Sequence, residues 1–152
     1  MTNDKQLLVS AIENGIVIDH IPCKVLFKVV SILKLDKIES NMTLGVNLDS
    51  SMMGKKSIIK VSNLFLEQKD LDKIALIAPS AKVNIIKEFK VSEKKQVALP
   101  KKLTGIVKCI NPKCICNHEN IMTSMEVLPE SNTTLRCTYC EKIINKENIV
   151  IL

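Results

Sequence analysis

The apolar residues of the N-terminal two-thirds of the chain follow two different spacings. Between Pro22 and Leu33 they recur every three or four residues, which predicts an amphipathic helix with one buried face. Pro22 suits the first turn of this helix because its missing N–H would have no helical partner there. The same spacing predicts a second helix over residues 71–78, which ends at Pro79.

Alternation of apolar and polar residues predicts strands around these helices. The clearest strand is 42–48, where every second side chain is apolar. An apolar segment at 7–12 is followed by strands at 16–18 and 57–62 and by a final strand region at 81–91. The order strand–helix–strand–strand–helix–strand is that of a ferredoxin-like α/β sandwich.

The polar, charged and proline-containing stretch 92–102 is predicted to link two domains, 1–98 and 99–152. Beyond it lie four short strand candidates, at 105–109, 124–127, 133–137 and 148–151. A unit of about 50 residues usually needs a disulfide or a metal to be stable. The predicted fold class is therefore α+β, with a ferredoxin-like α/β sandwich followed by a small all-β zinc-ribbon-like domain.

Four cysteines in this last third have the spacing of a tetrahedral zinc site, namely Cys109, Cys114, Cys137 and Cys140. Four thiolates around zinc leave no open position for water, so the predicted site is structural. Cys116 and His118 follow Cys114 closely in sequence, and either could substitute for one of the four. The spacing alone leaves these alternatives open.

Composition narrows the classes of protein that fit. No apolar run approaches the about 20 residues that span a bilayer, and the N-terminus lacks a signal-peptide pattern. We therefore expect a cytoplasmic protein with no membrane partner, where six cysteines favour metal binding over disulfides. The net charge of +6 is spread along the chain, which favours a solvated surface over nucleic-acid binding.

Asp19 and His20, just after the first predicted strand, are the best candidates for a second site. Lys60 on the third strand and Lys94 after the last could reach the same edge of the sheet. A carboxylate can bind sugar hydroxyls, while lysine and histidine can neutralise phosphates, so this set suits a nucleotide. Paired carboxylates, a catalytic triad and an open metal site are not evident, which disfavours a hydrolase or transferase.

Collinear segments from end to end resemble one known family. They include GIVIDHIP at 15–22, TLGVNL at 43–48, MGKK at 53–56, Ile59-Lys60, Ala78-Pro79, Ala81-x-Val83-Asn84 and CTYCE at 137–141. The chain resembles the regulatory chains of aspartate carbamoyltransferase along its whole length. This combination is far more specific than the cysteine spacing, which occurs in many zinc ribbons.

The resemblance implies a non-catalytic subunit that controls pyrimidine biosynthesis. Its first domain would bind allosteric nucleotides and pair with a second regulatory chain, and its zinc domain would dock on the catalytic chains. The implied assembly is a heterododecamer of two catalytic trimers and three regulatory dimers, without nucleic acid. In this family CTP inhibits, often with UTP, and ATP competes for the same site and commonly activates.

The resemblance also implies the residues of the nucleotide and zinc sites. The base would contact Ala11, Ile12, Val17 and Ile86, with the main chain near Ile12 and Phe89 reading its polar edge. The ribose would contact Asp19 and Lys60, and the phosphates would face His20, Asn84, Val91 and Lys94. The implied zinc ligands are Cys109, Cys114, Cys137 and Cys140.

Three departures from some family members affect this interpretation: Gln6, Ser10 and Phe89 replace more polar or charged residues. A main-chain contact at Phe89 should survive the change, but the preference among CTP, UTP and ATP stays open. The alternative function is that of a nucleic-acid-binding zinc-ribbon protein. Its stacking residues would be Phe27, Phe65, Phe89 and Tyr139, most of which we expect to be buried.

Overall fold

The computed structural model describes residues 11–129 and 134–152, and the chain divides into two compact units between Val97 and Ala98. The predicted segment at 7–10, the departures at Gln6 and Ser10 and the predicted start of a strand at residue 133 lie outside the described residues. Among the described residues, no helix is long and apolar enough to cross a membrane.

The first unit is built on a five-stranded antiparallel sheet with the order β2-β3-β1-β4-β5. The strands are β1 (Gly15–Ile21), β2 (Met42–Ser50), β3 (Gly54–Ser62), β4 (Lys82–Lys87) and β5 (Lys90–Gln96). Two helices, α1 (Leu26–Ile32) and α2 (Gln68–Ile77), follow β1 and β3. Within this sheet, the spatial order β2-β3-β1-β4 is that of the predicted ferredoxin-like sandwich.

Local sequence explains where both helices begin and end. A single 3-10 turn after Pro22 leads into α1, and the Val25 N–H donates to the Pro22 carbonyl at 3.0 Å. Glu67 and Asp70 form a capping box at the start of α2, which satisfies amide groups that lack helical partners. The helix ends at Ile77, because Pro79 disfavours helical backbone at the residue before it, Ala78.

The end of the first unit differs from the sequence prediction. Residues 81–91 form two strands rather than one region, and the predicted linker is wrong over 92–96 because these residues belong to β5. Glu88 and Phe89 make the tight connection, both with left-handed backbone (φ 52° and 64°). As an edge strand exposed along most of its length, β5 carries no apolar alternation that could reveal it.

The second unit consists of short strands in a four-stranded sheet, order β10-β9-β8-β6, and a separate pair of β7 with β11. The strands are β6 (Lys102–Thr104), β7 (Val107–Lys108), β8 (Ser124–Leu128), β9 (Thr134–Cys137), β10 (Ile143–Ile144) and β11 (Val150–Ile151). The prediction missed β6 and β10. Buried aliphatic side chains share the core with buried cysteines.

The expectation that most aromatic side chains are buried is wrong. Phe27, Phe65, Phe89 and Tyr139 are all exposed. Aliphatic side chains fill the interior of both units, so the aromatic rings are not needed there. They lie in four separate places: on α1, before α2, in the β4–β5 turn and in the cysteine-rich unit.

Candidate functional site

The register of the first sheet aligns four predicted site residues in one row. Val17 of β1 lies opposite Lys60 of β3 on one side and opposite Asn84 of β4 on the other. Asn84 in turn lies opposite Lys94 of β5. Because residues directly opposite each other share one face of a sheet, all four side chains belong to the same face.

A second row runs beside the first and contributes residues that the sequence analysis missed. Asp19 lies opposite Lys82, and Lys82 lies opposite Gln96. A cavity of about 360 Å³ is lined by residues of both rows together with His20 and Lys95. The row residues that line it are Asp19, Lys82, Asn84, Lys94 and Gln96. Lys82 could have been found because it precedes Asn84 by two positions on one strand.

A β-bulge places Asp19 and His20 at the end of β1. Pairing is regular at Ile18–Ile59 and resumes at Ile21–Ser57, so two residues of β1 oppose one of β3. His20 takes a left-handed backbone (φ 59°), and its carbonyl accepts a hydrogen bond from the Ser80 hydroxyl at 2.9 Å. Such a conformation is costly for a histidine and is found preferentially at functional sites.

The Asp19 carboxylate is the electrostatic centre of this cavity. It accepts the His20 N–H at 2.7 Å, and the Lys56 ammonium lies 2.9 Å from Oδ1 and 3.1 Å from Oδ2. Lys56 is a further residue that the sequence analysis did not place in the site. His20 Nδ1 lies 3.5 Å from Asp19 Oδ1 and is buried, with no hydrogen-bond partner among residues 11–129 and 134–152. A bound ligand could supply the hydrogen bond that this nitrogen lacks.

Lys60 is half-buried and lies opposite the apolar Val17 on this face. Burial lowers the pKa of Lys60 from its ordinary value, and the negative charge of Asp19 partly opposes that effect. Lys60 therefore lies where the charged lysine-rich surface meets apolar side chains. The boundary suits the sugar of a nucleotide, which links an apolar base to charged phosphates.

An apolar cluster forms the other half of this face. Buried Val17, Ile58 and Ile86 pack together, with the partly buried Ile12 and Leu48 against them. Val91 is exposed opposite Ile86 on β5, and Ala11 is exposed next to Ile12. The sequence analysis missed Ile58 and Leu48, whose alternation with polar residues indicated a strand but not which face they occupy.

The backbone at Phe89 is tied to the segment before β1. The Phe89 N–H donates to the Glu13 carbonyl at 2.9 Å, and the Glu88 N–H donates to Asn14 Oδ1 at 3.3 Å. The Phe89 N–H is therefore occupied. The carbonyl oxygen of Phe89 is therefore the main-chain group that could hydrogen-bond to the polar edge of a base.

Five thiols meet in the second unit. The sulfur of Cys109 lies 3.6 Å from that of Cys140, and the sulfur of Cys114 lies 3.7 Å from that of Cys137. With zinc–sulfur bonds of about 2.3 Å, the edge of a tetrahedron of sulfurs is about 3.8 Å, so both separations fit zinc. Cys116 joins the cluster at 3.3 Å from Cys114, whereas His118 is exposed.

Backbone and amide hydrogen bonds hold the two cysteine loops in shape. Asn117 Nδ2 donates to the carbonyls of Cys109 at 3.0 Å and Asn111 at 2.7 Å. In the second loop the Cys137 N–H donates to the Lys142 carbonyl at 3.0 Å, and the Glu141 N–H donates to the Cys137 carbonyl at 2.9 Å. Asn117 was not predicted, because its role depends on how the loop closes.

The thiols differ in how readily they ionise. Burial raises the pKa of Cys109, and burial also raises that of Cys116 to about 11. Burial acts in the same direction on Cys140, but hydrogen bonds from the Lys142 backbone, Asn111 and neighbouring thiols outweigh it and lower its pKa to about 7. Thiolates are the metal-binding form, so this donor set suits a thiophilic ion such as zinc.

Comparison with known families matches both units in turn. Residues 7–98 match the aspartate carbamoyltransferase regulatory chain, allosteric domain, and residues 101–150 match the metal binding domain of the same chain. The chain belongs to the family of aspartate carbamoyltransferase regulatory chains. These are non-catalytic subunits with an allosteric and a metal-binding domain, as the resemblance in sequence implied.

Individual relatives align along nearly the full length of this regulatory chain. An aspartate carbamoyltransferase regulatory chain of Parabacteroides distasonis is 48% identical over 147 residues, covering 97% of this chain and 96% of the relative. One of Bacteroides fragilis is 46% identical over 153 residues, covering 100% of both chains. One of Pyrococcus abyssi is 44% identical over 147 residues, covering 95% and 97%.

Proposed function

We propose that the first unit binds CTP, UTP and ATP on the open face of its sheet. The observation that carries the proposal is the row Lys60–Val17–Asn84–Lys94, which joins an apolar cluster to a lysine-rich cavity. An apolar surface beside concentrated positive charge matches the two ends of a nucleotide. The strained His20 lies at the charged end, and its Nδ1 has no hydrogen-bond partner in the described part of the chain.

Each part of the nucleotide has a proposed set of contacts. The base lies against Val17 and Ile86, flanked by Ala11 and Ile12, and its polar edge meets main-chain carbonyls near Ile12 and Phe89. The ribose hydroxyls bind the Asp19 carboxylate and the Lys60 ammonium. The phosphates lie toward His20, Asn84, Val91 and Lys94, where positive charge and N–H donors stabilise them.

The second unit is proposed to hold one structural zinc ion through Cys109, Cys114, Cys137 and Cys140. When bound, the ion cross-links the two cysteine loops, and a closed set of four sulfurs provides no open coordination position. The cysteine loops also position exposed side chains on the surface of this unit. Tyr139 lies between Cys137 and Cys140, and its hydroxyl donates to the carbonyl of the exposed Met122 at 2.9 Å.

This surface is the proposed contact with the catalytic chains of aspartate carbamoyltransferase. Exposed apolar side chains near the metal loops include Ile115, Met122, Tyr139 and Ile143. Apolar side chains are enriched in the buried centre of protein interfaces. We expect the first unit to pair with a second regulatory chain, so that three such dimers link two catalytic trimers in a cytoplasmic heterododecamer.

Regulation follows from unequal nucleotide affinity for two states of that assembly. A nucleotide that bound both states equally would shift nothing. Coupling between distinct sites is usually about 1–3 kcal/mol, which corresponds to about 5–150-fold in affinity. The competing nucleotides would differ in which state they favour.

The test combines binding with assembly. Calorimetry on the full chain should detect binding of CTP, and ATP should compete with CTP for the same site. When the chain is mixed with a catalytic trimer, CTP should change the dependence of the rate on aspartate. Absence of nucleotide binding, or binding only to RNA with a strong dependence on salt, would contradict the proposal and favour the nucleic-acid-binding alternative.

A further inference from the structure

Cys116 lies inside the cysteine cluster, although the proposed zinc site does not use it. Its side chain is buried, and its S–H donates to the sulfur of Cys114 at 3.3 Å. The sulfurs of Cys109, Cys114, Cys116 and Cys137 all lie within 4.8 Å of one another. Cys140 is the most exposed thiol of the five, at the rim of the cluster.

We propose that the metal centre has five thiols for four positions, and that Cys116 can replace Cys140 as the fourth ligand. Cys109, Cys114 and Cys137 are common to both ligand sets. The inference rests on the proposed zinc site, because it concerns how this chain's cysteines hold that ion.

The distances between the sulfur atoms would allow Cys116 to replace Cys140 without refolding of the second unit. The edge of a zinc–thiolate tetrahedron is about 3.8 Å, so sulfurs that lie within 4.8 Å of one another need only small shifts to converge. Cys109, Cys114, Cys116 and Cys137 are all buried together, so a metal bound to them would be shielded from water.

The loop that carries Cys116 is already shaped for this role. Residues Ile115–Asn117 form a 3-10 turn, and the Asn117 amide ties the turn to the carbonyls of Cys109 and Asn111. While Cys140 is a ligand, the Cys116 S–H donates to the Cys114 sulfur. When Cys140 is absent, Cys116 releases its proton to solvent and its thiolate binds zinc.

The experiment measures bound zinc per chain in the full-length protein after dialysis. Wild type, Cys116→Ser and Cys140→Ser should each keep one zinc. Cys137→Ser and the double variant Cys116→Ser/Cys140→Ser should lose it. Cys23→Ser, which removes a thiol on the first unit, is the matched control and should keep zinc.

Cobalt substitution separates ligand exchange from simple misfolding. Thiolate-to-cobalt charge-transfer absorption should be as intense in Cys140→Ser as in wild type, and should fall only when Cys116 is also replaced. The inference is overturned if Cys140→Ser loses metal as Cys137→Ser does, or if the double variant keeps it. Wild-type protein that binds no zinc would instead contradict the proposed zinc site itself.

Discussion

The two units of this chain build their sites in opposite ways. In the first, the site is a surface feature: residues from four strands meet because the sheet register aligns them, while a separate aliphatic core supports the sheet. In the second, the cysteines are themselves part of a small core. We expect changes at the first site to affect ligand binding, and changes at the second to affect folding.

Replacing Cys137 should have the largest effect, and it should be confined to one unit. Cys137→Ser removes a ligand shared by both proposed ligand sets, and structural zinc contributes about 10–16 kcal/mol to folding in small zinc domains. Hydrogen exchange should show loss of amide protection in β8 and β9 but not in β1 and β3. Nucleotide binding should remain, while assembly with catalytic chains should be lost.

The control for this experiment is Cys23→Ser, which should leave protection unchanged in both units. Cys23 lies in the 3-10 turn before α1, in the first unit, and is not one of the clustered thiols. Retained protection of β8 and β9 in Cys137→Ser would show that the second unit does not depend on its metal. The contrast between the two units would then be wrong.

Replacing Gly15 should destabilise the first unit alone, which is the reverse of the effect expected for Cys137→Ser. The backbone of Gly15 has φ +143°, and an added Cβ would overlap the Val61 carbonyl oxygen on the paired strand. Gly15→Ala should therefore destabilise the first unit by about 3 kcal/mol or more. Thermal unfolding monitored through β1 and β3 should show the loss, with zinc content unchanged.

Gly54→Ala is the matched substitution for Gly15→Ala. Gly54 also has positive φ (+76°), but a Cβ there would meet no atom of the described residues within 4 Å. The expected cost is about 1 kcal/mol, from backbone strain alone. Equal destabilisation by the two substitutions would mean that the close approach of Val61 is not what requires glycine at position 15.

The contrast between the two sites also explains which features could be predicted from the sequence. The cysteine spacing is local, so the cluster could be predicted from pairs of residues only a few positions apart. The spacing of apolar residues also predicted both helices and the order of β1–β4 along the chain. The strand β5 escaped because an exposed edge strand has no apolar period, and Lys82 and Lys56 escaped because their place beside Asp19 depends on cross-strand register and side-chain packing.

Lys94→Ala should separate ligand binding from folding in the first unit. Lys94 is exposed on β5 opposite Asn84, so its loss should not change the thermal stability measurably. A charged hydrogen bond contributes about 1.5–3 kcal/mol, so CTP binding should weaken by about tenfold to a hundredfold. Calorimetry should show no change for cytidine, which lacks phosphates.

Lys69→Ala on α2 is the control for the charge change, because Lys69 is exposed outside the cavity. It should leave CTP binding unchanged. If both substitutions weakened CTP binding equally, the effect would come from net charge and not from a defined phosphate contact. Equal losses for CTP and cytidine would place Lys94 away from the phosphates.

The last predicted effect is a change in how steeply zinc affinity depends on pH. The pKa of Cys140 is about 7, below the ordinary value for a thiol. Above pH 7 this ligand is already a thiolate, whereas below pH 7 zinc must also displace its proton. Zinc affinity, measured by chelator competition, should therefore fall about tenfold more per pH unit below pH 7 than above it. The extra steepness should disappear in Cys140→Ser; its persistence there would assign the titration to another group.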